Sequence, residues 1–307
     1  MNKISIKIGT GLSVLLWALC LPWAAAAEEK KNQNIYLEDI VVTTERTEKE
    51  LQTGDVDVEE TPSDVVVIER ESFEGKMETV SDVVEREAGI QVRQTGGLGS
   101  FSSVSLRGSS SDQVMVFMDG ILLNDAAGGG VDLSTISLGD VESIEIYKGS
   151  APINYGTSSI GGVINIKTLR TEEGFDANAS VGYGSFNTRN AKGYFNHKPG
   201  KFDYLVSADA LASDNDYEIL NNNGTPVNPD DDREEERNNA QFDQLTLLGK
   251  AGFDFTDDAR LDFMTQWFNK DQGIPSWNNS EETETSLATD RSINTLRYTH
   301  NSIGALP

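Results

Sequence analysis

One cysteine, Cys20, and two histidines, His197 and His300, are all that this 307-residue chain holds of the residues that build disulfide frameworks and zinc sites. Cys20 lies inside a leader-like front end, so the chain that remains after cleavage has no internal disulfide, and stability must come from packing or from a sheet. The histidines are isolated, and no Cys, His or carboxylate spacing suggests zinc. Basic residues are scarce: 25 Lys and Arg stand against 50 Asp and Glu, a formal net charge of −25. Phosphate binding needs clustered cations, so nucleic acid is not expected as a partner. Long apolar runs are also missing. After residue 27 none approaches the ~18 residues of a membrane-spanning helix, although a membrane β-barrel stays allowed because its alternating strands never show such runs.

The front of the chain has the order of a cleaved export signal. Lys3 and Lys7 precede an apolar run from about Ile8 to Leu21, followed by Ala24 to Ala27. The run is too short to span a bilayer, and Leu19 before Cys20 argues against a lipidated cysteine. Loss of residues 1–27 removes two lysines and no acid, leaving the chain two units more negative. Residues 28–60 are rich in Glu, Lys, Asn, Gln and Thr and read as a flexible arm. Within it lies one β-prone segment, EDIVVTTER, from Glu38 to Arg46. On its residues alone this is either an ordinary edge strand or a peptide that completes another protein's sheet.

From Thr61 to Thr168 the pattern predicts a small α+β domain. SDVVVIER reads as a strand, and SFEGKMETVSDVVEREAG as one or two helices with Ser81 at an N-cap and Gly89 as a stop. GIQVRQ and SSVSLRG read as strands around a Gly/Ser loop, and VMVFMDGILLND as a hairpin turning at Asp119-Gly120. Beyond Thr168 the segments ANASVGYGS, FDYLVSADALAS, QLTLLGKAGFDF and LDFMTQWF alternate apolar and polar residues. Tight turns (HKPGKF, TDDARL) alternate with long polar loops, as in an outer-membrane barrel. A soluble β-sandwich alternates as well and stays open at this point.

GYGSF and GGLGS resemble nucleotide loops but do not lead from a strand into a helix at the required spacing, so they read as turns. The acidic loop 214–236 is the one place where calcium would be considered; it lacks a regular ligand ladder and reads as solvated, so no cofactor is expected. No acid/base pair or activated nucleophile emerges, and no enzymatic activity is expected.

The stretch SLRGSSSDQVMVFMDGILLND, with VDLSTISLGDVESIEIYKGSAPINYGTSSIGGVINIKT after it, resembles the plug domain of TonB-dependent outer-membrane receptors of the siderophore and cobalamin type. Matching positions are Leu106-Arg107-Gly108, Asp119-Gly120, Glu142, Ile144-Glu145-Ile146, Gly149, Tyr155-Gly156 and Gly161-Gly162-Val163-Ile164-Asn165-Ile166. Lys148 stands where the family usually has arginine. The resemblance implies an α+β plug domain followed by the N-terminal part of an antiparallel transmembrane β-barrel. It implies that plug cations lock onto wall glutamates, with Arg107 bidentate and Lys148 a point charge. It also places Gly161-Gly162 where the chain would bend on leaving the plug for the first barrel strand.

By the same resemblance Glu38, Asp39, Ile40, Val41, Val42 and Thr43 form the TonB box, offered to TonB of the inner-membrane energy-transducing complex. A metal chelate or cobalamin would bind loops near Arg93, Gln94, Ser100 and Phe101 and near Asn124 and Asp125, and outer-membrane lipid would surround the wall. The function this implies is energy-coupled uptake of a large, scarce ligand, a ferric siderophore or cobalamin, across the Gram-negative outer membrane. Such barrels have about 22 strands, whereas residues 169–307 hold about six, so the alternative is a truncated, non-transporting fragment or ligand-binding module; a passive porin-like channel ranks below both.

Overall fold

The computed structural model describes residues 64–125, 128–149, 155, 159–171, 173–225, 227–279 and 284–300. The leader, the arm with its Glu38–Thr43 segment, and Gly156 lie outside the described residues.

The first half is built on a five-stranded mixed sheet, in the order β1-β6-β7-β4-β5. Its strands are β1 (Asp64–Glu69), β4 (Val114–Met118), β5 (Ile121–Leu122), β6 (Val141–Lys148) and β7 (Gly162–Thr168). A hairpin of β2 (Ile90–Gln94) and β3 (Ser102–Leu106) stands beside it. β-Branched residues dominate β6 and β7, and both strands are almost wholly buried, as a sheet covered on both faces requires. The sheet's core joins Val104, Leu106, Val116, Leu133, Ile144, Ile146, Ile164 and Ile166 to Val80, Val83 and Val84 of the short helix α1 (Val80–Glu85). That helix starts earlier than the sequence suggests. Thr79, not Ser81, is the N-cap, in a reciprocal box with Asp82, while Ser81 is buried and donates to the Ser102 hydroxyl at 2.8 Å.

The Asp119-Gly120 turn has φ of +47° and +80°, the pair of positive values that a two-residue hairpin between right-twisted strands demands. Gly162 has φ +131°, and a Cβ there would lie 2.5 Å from the Tyr147 carbonyl oxygen. This glycine begins β7, which pairs parallel to β4 and antiparallel to β6. The expected bend at Gly161-Gly162 out of the plug is therefore corrected: VINIKT belongs to the plug sheet, and the chain leaves it only after Thr168.

The second half is a six-stranded antiparallel sheet in the order β15-β14-β13-β10-β9-β8. Its strands are β8 (Gly174–Gly184), β9 (Thr188–Lys198), β10 (Phe202–Ser213), β13 (Phe242–Thr256), β14 (Ala259–Gly273) and β15 (Ser286–His300). A small hairpin, β11 (Glu218–Asn221) with β12 (Arg233–Glu236), rises from the long loop between β10 and β13.

Register places the alternation in space. Tyr204 pairs with His197 and Ala251, and Phe263 with Ala251 and Leu296, so one face carries Val181, Phe195, Val206, Leu247, Phe253, Phe263 and Trp267. Many of these are exposed, Val181 to 88%. The opposite face carries Asp203, Ser207, Asp209, Thr246, Gln266 and Lys270, all buried. A sheet with its apolar residues outside and its polar residues covered inverts the soluble pattern, and it is the arrangement of a barrel wall in lipid. Near the tight-turn end the outer face gathers Phe175, Phe195, Phe202, Tyr204, Phe253 and Phe255 in ring contacts of 4.9 to 5.7 Å, an aromatic belt suited to a membrane interface. Among the described residues no helix is long and apolar enough to cross a membrane.

Candidate functional site: the seat between plug and wall

The polar face of the wall is covered by the plug, and the two meet through a small set of directed bonds. Residues 132–140 of the plug supply most of them. Asp132 caps a 3-10 turn, Leu133–Thr135, and Ser137 caps a second, Leu138–Asp140. Two tight turns in succession hold their polar groups outward against the wall. Asp209 of β10 accepts from the Ser137 hydroxyl at 2.6 Å and from the Gly139 N–H at 3.1 Å. In return Asp140 of the plug accepts from Ser207 of β10 at 2.7 Å and from Gln266 of β14 at 3.3 Å. Arg70, on the helical turn after β1, donates to the Val141 carbonyl and lies over the Tyr194 ring at 5.2 Å.

Asp140 is 1% exposed. Burial raises its carboxyl to about 6, and the nearby Asp209 charge adds to the rise, while the Ser207 and Gln266 hydrogen bonds and the Lys250 charge oppose it. Gln266 Oε1 is buried and meets no hydrogen-bond donor among the described residues. A protonated Asp140 meets that acceptor if the Gln266 amide is turned over.

Three wall cations grip plug carbonyls and hydroxyls. Lys250 of β13 lies 3.1 Å from Asp119 and 3.3 Å from the Thr168 carbonyl. Lys270 of β14 donates to the Gly99 carbonyl and to the Ser134 hydroxyl. Arg291 of β15 donates to both the hydroxyl and the carbonyl of Thr135, at 3.0 and 2.8 Å. A cavity of about 310 Å³ opens below Lys250, and its walls include Lys167, Arg170, Asp203, Arg260 and Asp262. Arg260 pairs there with Asp203, Asp254 and Asp262.

The residues singled out from sequence fall into two sets. Glu145 is a buried hub: it pairs with Lys167 at 2.5 Å and accepts from Tyr147 and Asn165, each at 3.0 Å. Tyr155 packs its ring against Phe117 and Tyr147. Glu142 lies 3.8 Å from Arg170, and burial holds its carboxyl above the ordinary range. Asp119 accepts from the Thr168 N–H and hydroxyl, closing the Asp119-Gly120 turn on the end of β7. Gly108 and Gly149 take positive φ, and Gly161 donates to the Gln113 carbonyl. These are architecture of the plug.

The implied lock is not met among the described residues, which include six wall strands. Arg107 pairs with Asp64 of β1 at 2.5 Å, and Lys148 stands opposite Asp64 in the ladder, at the other end of β1–β6 from the seat at Asp140. Among the described residues no wall glutamate meets either. The wall instead holds the plug with its own cations and with paired Asp–Ser contacts.

Of the expected ligand-loop residues, Arg93 and Gln94 end β2, and Gln94 donates to the Gly97 carbonyl at 2.6 Å. Ser100 also donates to Gly97, and Phe101 is 41% exposed. Asn124 is engaged at both ends of its amide, with the Val116 N–H and the Val114 carbonyl. Asp125 lies beside it in the chain. The two loops are thus braced. In the acidic loop, Glu235 accepts from Asn279 and Asn221, which hold its carboxyl below the ordinary value, and Asp231 accepts from Thr225. Among the described residues no three His, Cys, Asp or Glu side chains converge as a metal site would need.

Sequence alternation places Asp209, Gln266 and Lys250 on the covered face, but alternation names a face and not a partner. Asp140, Lys270 and Arg291 are missed for that reason; the Lys270 carbon chain and charge look like any polar-face lysine until the plug is in place.

An α+β domain seated on the covered polar face of an outward-apolar antiparallel sheet is the fold of a plug against the inner face of a barrel wall. Residues 57–163 match the TonB-dependent Receptor Plug Domain family. The vitamin B12 transporter BtuB of Vibrio cholerae serotype O1 is 38% identical over 149 residues, covering 48% of this chain and 23% of that protein. BtuB of Vibrio vulnificus is 37% identical over 146 residues, again 48% and 23%. The match thus spans under a quarter of these relatives' length. Among solved structures, the FpvAI–pyocin S2 complex superposes with TM-score 0.62 and 16% identity over 80% of this chain and 32% of that chain. The FrpB iron transporter from Neisseria meningitidis does so with TM-score 0.60 and 18% identity, over 78% and 39%. At such identities the likeness is one of fold. Residues 57–163 thus match the plug domain of TonB-dependent receptors, and the strands after them resemble in fold the N-terminal part of such a barrel. The family is of the receptor type, not an enzyme family.

Proposed function

We propose that this chain serves a Gram-negative outer-membrane receptor that takes up a large, scarce ligand with energy supplied through TonB. The observation that carries the reading is the seat itself: a folded plug held by directed bonds against the covered face of a wall whose other face is apolar and aromatic-belted. A passive porin needs no such plug. The tight-turn end of the wall faces the periplasm and the long loops face outward. Residues 38–46 then extend into the periplasm and add a strand to a sheet edge of TonB, with main-chain hydrogen bonds giving the affinity. The loop carrying Ser100 and Phe101 lies toward the long-loop end, where Asn215 holds it, and would meet the ligand together with the 124–131 segment.

Cobalamin is the first ligand to test, because the relatives that share the plug sequence are vitamin B12 transporters; a ferric siderophore is the second. Outer membranes containing the chain are expected to retain cyanocobalamin, or failing that a ferric siderophore, saturably and above membranes without it. Retention of neither refutes the receptor reading for this chain. Retention without uptake supports the binding-module reading in its place.

A further inference from the structure

Lys270 is a lysine that the surrounding chemistry does not call for. Its side chain is 2% exposed, and among the described residues no carboxylate pairs with it directly. A buried ammonium is costly unless its donors are matched. Here two of its three N–H donors meet neutral acceptors that belong to different plug segments: the Gly99 carbonyl, in the loop between β2 and β3, and the Ser134 hydroxyl, at 2.9 Å, in the first turn of the seat. The Asp132 carboxylate acts on it through space.

Those two segments share a second tie. One Asp132 oxygen accepts the N–H of Ser102, at the root of the loop, and the N–H of Ser134, at 2.9 and 3.0 Å. Arg291 holds the next residue, Thr135, and lies over the Phe268 ring at 5.3 Å, so the turn is fixed to the wall beside Lys270. Ser137, Gly139 and Asp140, which make the paired contacts with β10 and β14, follow within five residues. On its other side the loop is held by Asn215, which donates to the Leu98 and Ala240 carbonyls at 2.8 and 2.9 Å.

We propose that Lys270 is a relay between the plug's outward loop and its seat. With Gly99 in place the ammonium has both acceptors and holds the Ser134 turn. Movement of Leu98-Gly99 withdraws one acceptor from a buried charge, and the cheapest response is for the turn and its neighbours through Asp140 to move with it. The relay rests on the receptor reading only for the identity of what moves the loop, a ligand arriving from outside. The coupling itself is a property of the chain and is measured without ligand.

The test is a double-mutant cycle read by amide hydrogen exchange on the full chain in detergent micelles. Asn215→Gly removes the loop's outer tie and keeps the backbone relaxed, since Asn215 has φ +50°. Exchange should rise in residues 96–103 and, through Lys270, by about five- to tenfold in residues 133–140, with the β6–β7 ladder unchanged as the control. In the Lys270→Met background the seat exchanges faster from the start, and Asn215→Gly should add nothing to it. Lys270→Arg, which keeps charge and donors, should preserve the coupling. If Lys270→Met does not accumulate, Lys270→Gln, able to reach one acceptor, takes its place in the cycle. A seat unmoved by Asn215→Gly, or moved equally with and without Lys270, overturns the relay. Cyanocobalamin added to the native chain reads the ligand separately: loop amides that it leaves unprotected count against cobalamin as the ligand, while the relay stands or falls on the cycle alone.

Discussion

Replacing Asp140 by asparagine should stabilise the seat, and should do so by a pH-dependent amount. The native carboxyl is raised from 3.8 to about 6 by burial, so its ionised form is disfavoured in the folded plug and not in the unfolded chain. Stability is then highest below pH ~4, falls as pH rises through the folded value near 6, and is flat above it. Two pKa units at 1.36 kcal/mol each amount to about 3 kcal/mol of penalty at pH 7.5. About 1.4 kcal/mol of that accrues between pH 5 and 7.5, a tenfold change. The groups facing Asp140 are Ser207 and Asp209 of β10, Gln266 of β14 and Lys250 of β13. The asparagine keeps an oxygen for the Ser207 hydroxyl and gains an N–H for Gln266 Oε1 once that amide is turned over. Amide exchange at Gly139 and Leu169, whose N–H groups bond Asp209 and the Asp140 carbonyl, is the assay, corrected for intrinsic rates. Native protection at these amides should drop about tenfold from pH 5 to pH 7.5, and Asp140→Asn should remove that drop and raise protection at pH 7.5. Native protection that ignores pH, or an asparagine variant less protected at pH 7.5, would show that the Asp140 carboxyl carries no such penalty in the folded plug.

Gly162→Ala should cost about 3 kcal/mol or more and prevent the plug from accumulating folded, because a positive φ and a Cβ 2.5 Å from the Tyr147 carbonyl leave it no relaxed position; protease resistance of the plug reads this directly. Lys250→Met should loosen the Asp119-Gly120 turn by about 1–2 kcal/mol, leaving Asp119 without its cation and the Thr168 carbonyl without that donor. Exchange at Thr168 should rise in that variant while the amides of β2 and β3 stay as they were.

How far the sequence carries the fold depends on whether a feature is local. The Asp119-Gly120 turn is written in two residues that tolerate positive φ, and it forms where expected. The wall is written in alternation: Phe202, Tyr204, Val206 and Ala208 face outward opposite Asp203, Leu205, Ser207 and Asp209. The helix cap shifts from Ser81 to Thr79 because both residues are competent caps, and only the reciprocal bond with Asp82 and the burial of Ser81 decide between them. Gly161-Gly162 reads as an exit because VINIKT looks like any strand, and its parallel partner β4 lies nearly fifty residues away in sequence. The seat is the least legible part. Asp140 with Ser207, and Lys270 with Gly99, pair a turn or loop of the plug with a distant wall strand, and nothing in either local pattern announces the other.

On the function proposed above, the plug is offered to TonB through Glu38–Thr43. The most direct measurement is binding of the purified full chain to the purified periplasmic domain of TonB, beside the same chain carrying Val41→Pro, which removes one main-chain donor and bars a paired strand. The native chain should bind, and the proline variant should lose affinity by tenfold or more with the plug still folded. No binding by the native chain, or equal binding by the two, contradicts the claim.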